Sequence, residues 1–143
     1  MDIIPEEVRT FFLILAASCA YAGWRGLMPE RVTAVALMLA WVASQMVNSH
    51  NFSQPQFGML GVDVLLLVIL VSLALLTGRR WLMAAAACHL LTVGDHLAMI
   101  LDMRIRSYAY MTVMVIWGYA VILAMVLGTW FEAEPERRRL RQA

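Results

Sequence analysis

Five long apolar runs, separated by short polar stretches, make up most of the chain. They are residues 8–22, 32–47, 58–77, 81–101 and 108–131. Each run is close to the length of about 20 residues that an α-helix needs to cross the hydrocarbon core of a bilayer. The pattern predicts an all-α fold, a polytopic transmembrane helical bundle with five spans.

Polar helix-start signals lie between the runs. Pro5 with Glu6 and Pro29 with Glu30 are typical of the first turn of a helix, where proline fits and carboxylates meet the positive end of the helix dipole. The first two runs are shorter than the others, and Tyr21 interrupts the first. The sequence therefore leaves an alternative with four spans, in which the N-terminal helix lies in the membrane interface.

Composition supports a membrane protein. Hydrophobic residues make up 62% of the chain and charged residues 15%, against about 45–50% and 25% in soluble domains. The net charge of +1 indicates no polyanionic partner, so nucleic acid is not expected. We predict a single transmembrane domain over residues 1–131 and an arginine-rich tail over residues 132–143.

The arginines predict how the bundle is oriented. With five spans, eight of the eleven arginines fall at one end of the bundle and three at the other. Positively charged ends remain in the cytoplasm, so we expect a multi-pass protein with its C-terminus in the cytoplasm. Trp24, Trp81 and Trp130 fall at the arginine-rich boundary, as in an aromatic belt. Four tail arginines are expected to bind anionic lipid head groups: Arg137, Arg138, Arg139 and Arg141.

The fourth run contains the stretch CHLLTVGDHLAMILD, which places ionisable groups inside an apolar helix. Asp63 and His96 each lie five residues from the same end of antiparallel spans, about 7.5 Å deep at 1.5 Å per residue. A carboxylate in the membrane costs about 2.5–3.5 kcal/mol on insertion scales, so such groups face the interior and pair. We expect Asp63 to meet His96, or Asp95, between the third and fourth spans.

Other polar residues are predicted at the same outer end of the bundle. His89, Thr92, His96, Met99 and Met103 are spaced by three or four residues and therefore form one stripe on the fourth helix. The whole outer polar cluster comprises Gln45, Asn48, His50, Asp63, Asp95, His96 and Asp102.

Small residues predict close helix contacts. Gly94 lies beside the polar pair and would allow a neighbouring backbone to approach. Ala120, Ala124 and Gly128 form a small-residue ridge on the fifth span, which suits close helix packing and could serve as a docking face.

Several interpretations of the outer cluster remain open. The first is a structural pair that fixes helix register. The second is a site for a transition metal or a b-type haem, with His50, His96 and His89 as candidate ligands. The third is proton movement, although the polar residues do not continue through the cytoplasmic half. No HxxxH, ExxH or CxxC spacing occurs, and no cofactor is predicted.

Residues 62–130 carry a resemblance to known proteins. The motifs are the VD that contains Asp63, the HLA from His96 to Ala98 and the GTW from Gly128 to Trp130. In these the chain resembles small polytopic inner-membrane proteins of alphaproteobacterial type. The resemblance implies a multi-pass helical fold in the inner membrane, and it implies no activity.

No nucleophile beside a base and no phosphate-binding loop can be found in the sequence. A catalytic interpretation that stays open is His–Asp chemistry on a lipid substrate near the outer leaflet. We expect instead a non-catalytic integral subunit or interaction protein, within a larger membrane complex or a homo-oligomer. The alternative is a metal- or haem-binding redox or proton-handling membrane protein that uses the outer cluster.

Overall fold

A computed structural model describes residues 6–48, 55–102 and 107–142 of the 143-residue chain. These residues form helices and contain no strand. The helices are α1 (Glu6–Arg25), α2 (Met28–Val47), α3 (Phe57–Thr77), α4 (Arg80–Leu101), α5 (Ser107–Gly128) and α6 (Glu134–Gln142), with a π-helical segment over Thr129–Ala133 between the last two.

The first five helices form a closed ring. Each packs against its neighbour in the sequence, and α1 also packs against α5. Leu70, Leu82 and Met125 are fully buried at the centre of the bundle. Many apolar side chains on the outer surfaces of the helices are exposed, as expected where a helix surface contacts lipid acyl chains rather than water.

Three helical stretches of the described residues are long and apolar enough to cross a membrane. They are Phe57–Thr77, Arg80–Leu101 and Tyr108–Leu140. Helices α1 and α2, of 20 residues each, do not reach the same apolar character. The structure is therefore an all-helical bundle with three candidate spans, and the number of five spans is not confirmed.

Two helix ends have a clear local cause. Gly78 ends α3 in the left-handed region, with φ of 65°, and its N–H donates to the Ala74 carbonyl at 2.9 Å. Glycine adopts this conformation without steric cost, which permits the tight turn into α4. Helix α2 begins at Met28, within one residue of the Pro29 and Glu30 start signal, and the Leu27 N–H donates to Glu30 Oε2 at 2.9 Å.

The C-terminal tail is helical. After Gly128 the chain continues through the π-helical segment into α6, so the predicted boundary at residue 131 falls inside a continuous helical stretch. Thr129 and Ala133 are buried, whereas Trp130 and Phe131 are exposed. A π-helical turn contains more residues than an α-helical turn. The side chains of α6 therefore point in a different direction from those that a direct continuation of α5 would have.

Two packing predictions need correction. A side chain at Gly94 would meet nothing within 4 Å, so the close approach expected there is wrong. Gly128 does pack closely, since a Cβ atom there would overlap the indole of Trp81. Ala124 packs against the core of the same chain and Ala120 is half-buried. The α5 ridge is thus used at least partly within the bundle, and it is not a free docking face.

The tryptophan belt is only partly present. Trp24 and Trp130 are 68% and 60% exposed, as an interfacial residue would be. Trp81 is only 6% exposed, and its placement in the belt is wrong. Its indole is held inside by Gly128 on one side and by a buried carboxylate that accepts its N–H.

Candidate functional site

A buried carboxylate and imidazole meet between α3 and α4, as the sequence predicts. Asp63 Oδ2 lies 2.8 Å from His96 Nε2. The two residues are only 8% and 2% exposed. Residues at matching depths on antiparallel helices face each other here because each occupies the inward side of its helix.

His96 is held from its other side by α5. The Tyr110 hydroxyl lies 2.7 Å from His96 Nδ1, and the two rings meet edge to face. With Asp63 ionised and His96 neutral, His96 Nε2–H donates to Asp63 and the Tyr110 O–H donates to Nδ1. One imidazole thereby connects three helices.

His89 approaches the same aspartate one level deeper. Its Nε2 lies 3.0 Å from the Asp63 backbone oxygen, to which it donates, and 3.7 Å from Oδ1. Two imidazoles of α4 therefore flank one residue of α3. We call Asp63, His89, His96 and Tyr110 the Asp63 cluster.

The predicted stripe on α4 is buried over its described length. His89, Thr92, His96 and Met99 are each under 7% exposed, while Met103 lies outside the described residues. Thr92 differs from the other buried threonines. Thr33 and Thr129 donate to the carbonyl four residues earlier, whereas Thr92 Oγ has no hydrogen-bond partner in the described structure.

Among the described residues, the other predicted members lie apart from the Asp63 cluster or beside it. Asp95 is half-buried on the adjoining face of α4, within electrostatic range of His96, and its Oδ2 is buried without a partner. Asp102 is exposed at the end of α4, Gln45 is exposed on α2 and Asn48 follows the end of α2. His50 lies outside the described residues.

A second buried polar group, at the opposite end of the bundle, was missed by the sequence analysis. Glu30 is fully buried. Its Oε1 accepts a hydrogen bond from Trp81 Nε1 at 3.2 Å and forms an ion pair with Arg79 Nη1 at 3.2 Å. Arg79 Nη2 also lies 2.7 Å from Glu136 Oε2 on α6. We call Glu30, Arg79, Trp81 and Glu136 the Glu30 cluster.

The Glu30 cluster joins the start of α2, the turn between α3 and α4, and α6. A pocket of about 320 Å³ opens beside it, lined by Thr77, Gly78, Arg79, Arg80, Glu132 and Glu136. The sequence feature that could have identified this cluster is charge. Glu30 and Arg79 have opposite charges, and both are predicted at the same end of the bundle. Glu30 had instead been interpreted only as a helix-start residue.

The arginines of the tail are only partly described. Arg138 and Arg139 have exposed side chains on α6, and the side chains of Arg137 and Arg141 are outside the description. The binding of lipid head groups by these arginines stays a prediction.

Donor geometry at the Asp63 cluster does not favour the metal or haem hypothesis. Both ring nitrogens of His96 already have partners, and His89 Nε2 donates to a backbone carbonyl. A metal ligand needs an imidazole nitrogen with a free lone pair. Across residues 6–48, 55–102 and 107–142, no three His, Cys, Asp or Glu side chains are arranged to hold a metal ion.

Comparison of the chain with protein-family models, with curated proteins and with solved structures gives no match. The resemblance carried by the VD, HLA and GTW motifs is therefore without support from these comparisons.

Proposed function

We propose that this chain is a non-catalytic integral subunit or interaction protein of a bacterial inner membrane, working within a larger membrane complex. The observation that carries the proposal is that His96 is bonded on both ring nitrogens, to Asp63 and to Tyr110. An imidazole occupied in this way joins helices, whereas a catalytic base needs a nitrogen free to face a substrate.

The proposed topology has five spans, α1 to α5, with the C-terminus in the cytoplasm. The Glu30 cluster supports it, because the Arg79 contacts bring the start of α2, the turn before α4 and α6 to one end of the bundle. Arg25, Arg31 and Arg80 belong to helix ends at that level. Arginine enrichment at this end favours the cytoplasmic side, where the exposed arginines of α6 would meet anionic head groups.

The candidate surface for a protein partner is the side of α1 and α2 that faces away from the bundle. Helices α1 and α2 are less apolar than the three candidate spans, yet they expose large apolar side chains such as Leu13, Val35 and Leu39. A partner helix on this surface would shield polar positions of α1 and α2 from lipid.

Site-specific photocrosslinking in cells tests this proposal. A photoreactive residue is placed at Leu13 or Val35 on this surface and, as matched controls, at Leu65 on α3 and Leu91 on α4, which are also exposed. We expect a discrete protein adduct from the α1 and α2 positions and lipid adducts from the controls. Lipid adducts at every position, together with a single-chain mass in mild detergent, would contradict the proposal.

The metal or haem alternative is tested on the same purified protein. An absorption spectrum and elemental analysis would detect a Soret band or a stoichiometric transition metal. We expect neither, because the His96 nitrogens are engaged; a stoichiometric metal that is lost in a His96→Gln variant would favour the alternative.

A further inference from the structure

We propose that the Asp63 cluster is a proton-binding site that exchanges its proton with the aqueous phase at the end of the bundle where α5 begins, and that it does not pass protons through the membrane. The proposal goes beyond the role of a subunit, and it holds whichever protein the chain binds.

Charge balance is the first argument. The cluster contains one carboxylate and two imidazoles, all less than a tenth exposed. With Asp63 ionised and both imidazoles neutral, the cluster carries a net negative charge inside an apolar bundle, which costs several kcal/mol. One added proton makes the cluster neutral.

The geometry gives that proton a defined place. The 2.8 Å hydrogen bond between His96 Nε2 and Asp63 Oδ2 already holds one proton, so the added proton lies on His96 Nδ1. The proton of the Nε2 bond can then belong to either atom without movement of the heavy atoms. His89, whose Nε2 is 3.7 Å from Asp63 Oδ1, is near enough to stabilise the carboxylate when the proton is lost.

The surroundings increase the need for positive charge. On α4, Asp95 lies within electrostatic range of His96 and of Tyr110, and Cys88 is half-buried beside His89. Asp63 is the only ionisable residue of α3, and α2 has none between Arg31 and its end at Val47. On α5, Tyr108 is exposed and Tyr119 lies two to three turns farther along the helix. Among the described residues of α2 to α5, no arginine lies at the level of the cluster to neutralise Asp63. On α1, which packs against α5, the exposed Arg9 side chain is paired with Glu6 at 3.8 Å.

Tyr110 provides the exchange route. It lies three residues into α5, beside the end of the bundle, and its hydroxyl is bonded to His96 Nδ1. When His96 becomes an imidazolium, Nδ1–H donates to the phenol oxygen and the phenol O–H turns to another acceptor. In this proposal the proton exchanges with the aqueous phase through this hydroxyl, which is itself buried, at 3% exposure, near the start of α5.

The opposite direction is closed by apolar packing. Between His89 and Trp81 on α4, the buried side chains are Leu82, Ala85 and Ala86. Leu70 of α3 and Met125 of α5, both fully buried, occupy the same part of the core. No buried ionisable side chain of the described residues links the Asp63 cluster to the Glu30 cluster, so the site binds a proton from one side only.

The test follows the protonation of the imidazoles in lipid nanodiscs by NMR of ¹⁵N-histidine across mildly acidic to mildly alkaline pH. A His50→Gln background leaves His89 and His96 as the reporting residues. We expect one proton per chain to be bound at neutral pH, shared by His96 and Asp63. In Asp63→Asn, both imidazoles should stay neutral at neutral pH, because the carboxylate that requires the proton is gone.

Tyr110→Phe keeps the ring and removes only the hydroxyl, so it remains informative if Asp63→Asn does not fold. We expect an altered His96 Nδ1 signal and proton exchange slowed at least about tenfold, whereas Tyr108→Phe, at an exposed neighbour, should change neither. Identical exchange in both tyrosine variants, or imidazoles that titrate independently of Asp63, would overturn the proposal.

Proton flux into vesicles tests the one-sided access. Proteoliposomes with an enclosed pH-sensitive dye should show no flux above that of protein-free vesicles when a pH gradient is imposed. A flux that is present in the unchanged protein and absent in Asp63→Asn would overturn the claim that protons do not cross.

Discussion

At the scale of single residues, the described structure shows how ionisable groups are accommodated inside an apolar bundle. Asp63 has accepting oxygens, and the imidazoles of His89 and His96 supply donors to its side chain and backbone. Tyr110 satisfies the remaining nitrogen of His96. Burial without such partners would cost about 1–3 kcal/mol for each polar group, so the partners explain why these residues can be inside.

Substitution of Asp63 tests its hydrogen bond. We expect Asp63→Ala to lower the free energy of unfolding by about 1–3 kcal/mol, because His96 Nε2–H is left buried without an acceptor. Asp63→Asn should cost less, since its amide oxygen can still accept. Thermal unfolding in detergent measures both. As a control, Ser72→Ala on the exposed side of the same helix should remain within about 0.5 kcal/mol; an equal loss there would argue against a specific role of Asp63.

Thr92 permits the converse test. Its buried hydroxyl has no described partner, and valine has almost the same shape. We expect Thr92→Val to leave stability unchanged or to raise it by up to about 1 kcal/mol, because burial of an unsatisfied hydroxyl is unfavourable. The matched variant Thr129→Val removes a hydroxyl that donates to Met125 at 2.9 Å, and it should cost about 1 kcal/mol. A larger loss in Thr92→Val would show that this hydroxyl has a partner in the membrane.

At the scale of helices, contacts between elements are set by a few side chains that no periodic pattern identifies. Trp81, at the start of α4, fills the space that Gly128 leaves on α5 and donates to Glu30 on α2. A single indole thus fixes the relative positions of three helices at one end of the bundle.

Alanine substitution at two helical glycines distinguishes a tight contact from an open one. Gly128→Ala should destabilise the bundle by about 1–3 kcal/mol, because its methyl group would overlap the Trp81 indole. Gly94→Ala should be neutral or stabilise by up to about 1 kcal/mol, since there is space around it and alanine favours helices. Unfolding midpoints of the two variants measure the difference. A larger loss of stability in Gly94→Ala than in Gly128→Ala would show that α4 and α5 do not meet closely at Gly128.

The Glu30 cluster predicts a second contrast, between two carboxylates bonded to the same arginine. Glu30→Gln should lower stability by about 1.5–3 kcal/mol, because a fully buried carboxylate that accepts two hydrogen bonds and pairs with Arg79 loses its charge. Glu136→Gln should cost at most about 1 kcal/mol, since that side chain is 53% exposed and the ion pair is screened by water. Denaturant unfolding of both variants measures the difference. Equal losses of stability in the two variants would mean that the ion pairs of Arg79, rather than the burial of Glu30, determine the stability of this end of the bundle.

At the scale of the whole molecule, the closed ring of five helices leaves the membrane topology to be tested. Three stretches are apolar enough to be candidate spans, and the proposed five-span arrangement also places α1 and α2 across the bilayer. The closed ring favours this arrangement, because α1 packs against both α2 and α5.

Cysteine labelling in intact cells discriminates between the topologies. In a background without Cys19 and Cys88, Glu7→Cys and Met28→Cys are exposed to a membrane-impermeant thiol reagent. Five spans predict labelling of position 7 and protection of position 28. Four spans with an interfacial α1 predict protection of both positions. Three spans place position 28 outside the cell, so its labelling in intact cells would contradict the five-span topology.

The sequence predicted much of the fold because hydrophobic runs and turn residues act locally. The runs that end at residues 77 and 101 match the ends of α3 and α4. The depth argument also brought Asp63 to His96, since helix rise is constant. The same reasoning failed at Gly94, where a small residue was read as a contact although no neighbour lies near it. It also failed at Trp81, which was placed in a lipid-facing belt and is buried.

What the sequence alone determined was the all-helical fold, the ends of α3 and α4 and the level at which an acid and an imidazole meet, because helix length, periodicity and rise are properties of local chemistry. Only the tertiary structure decided which side chains complete each buried group. Tyr110 on His96 and Arg79 on Glu30 are distant along the chain. Their proximity depends on how the helices rotate and pack around the ring, and no local pattern contains that information.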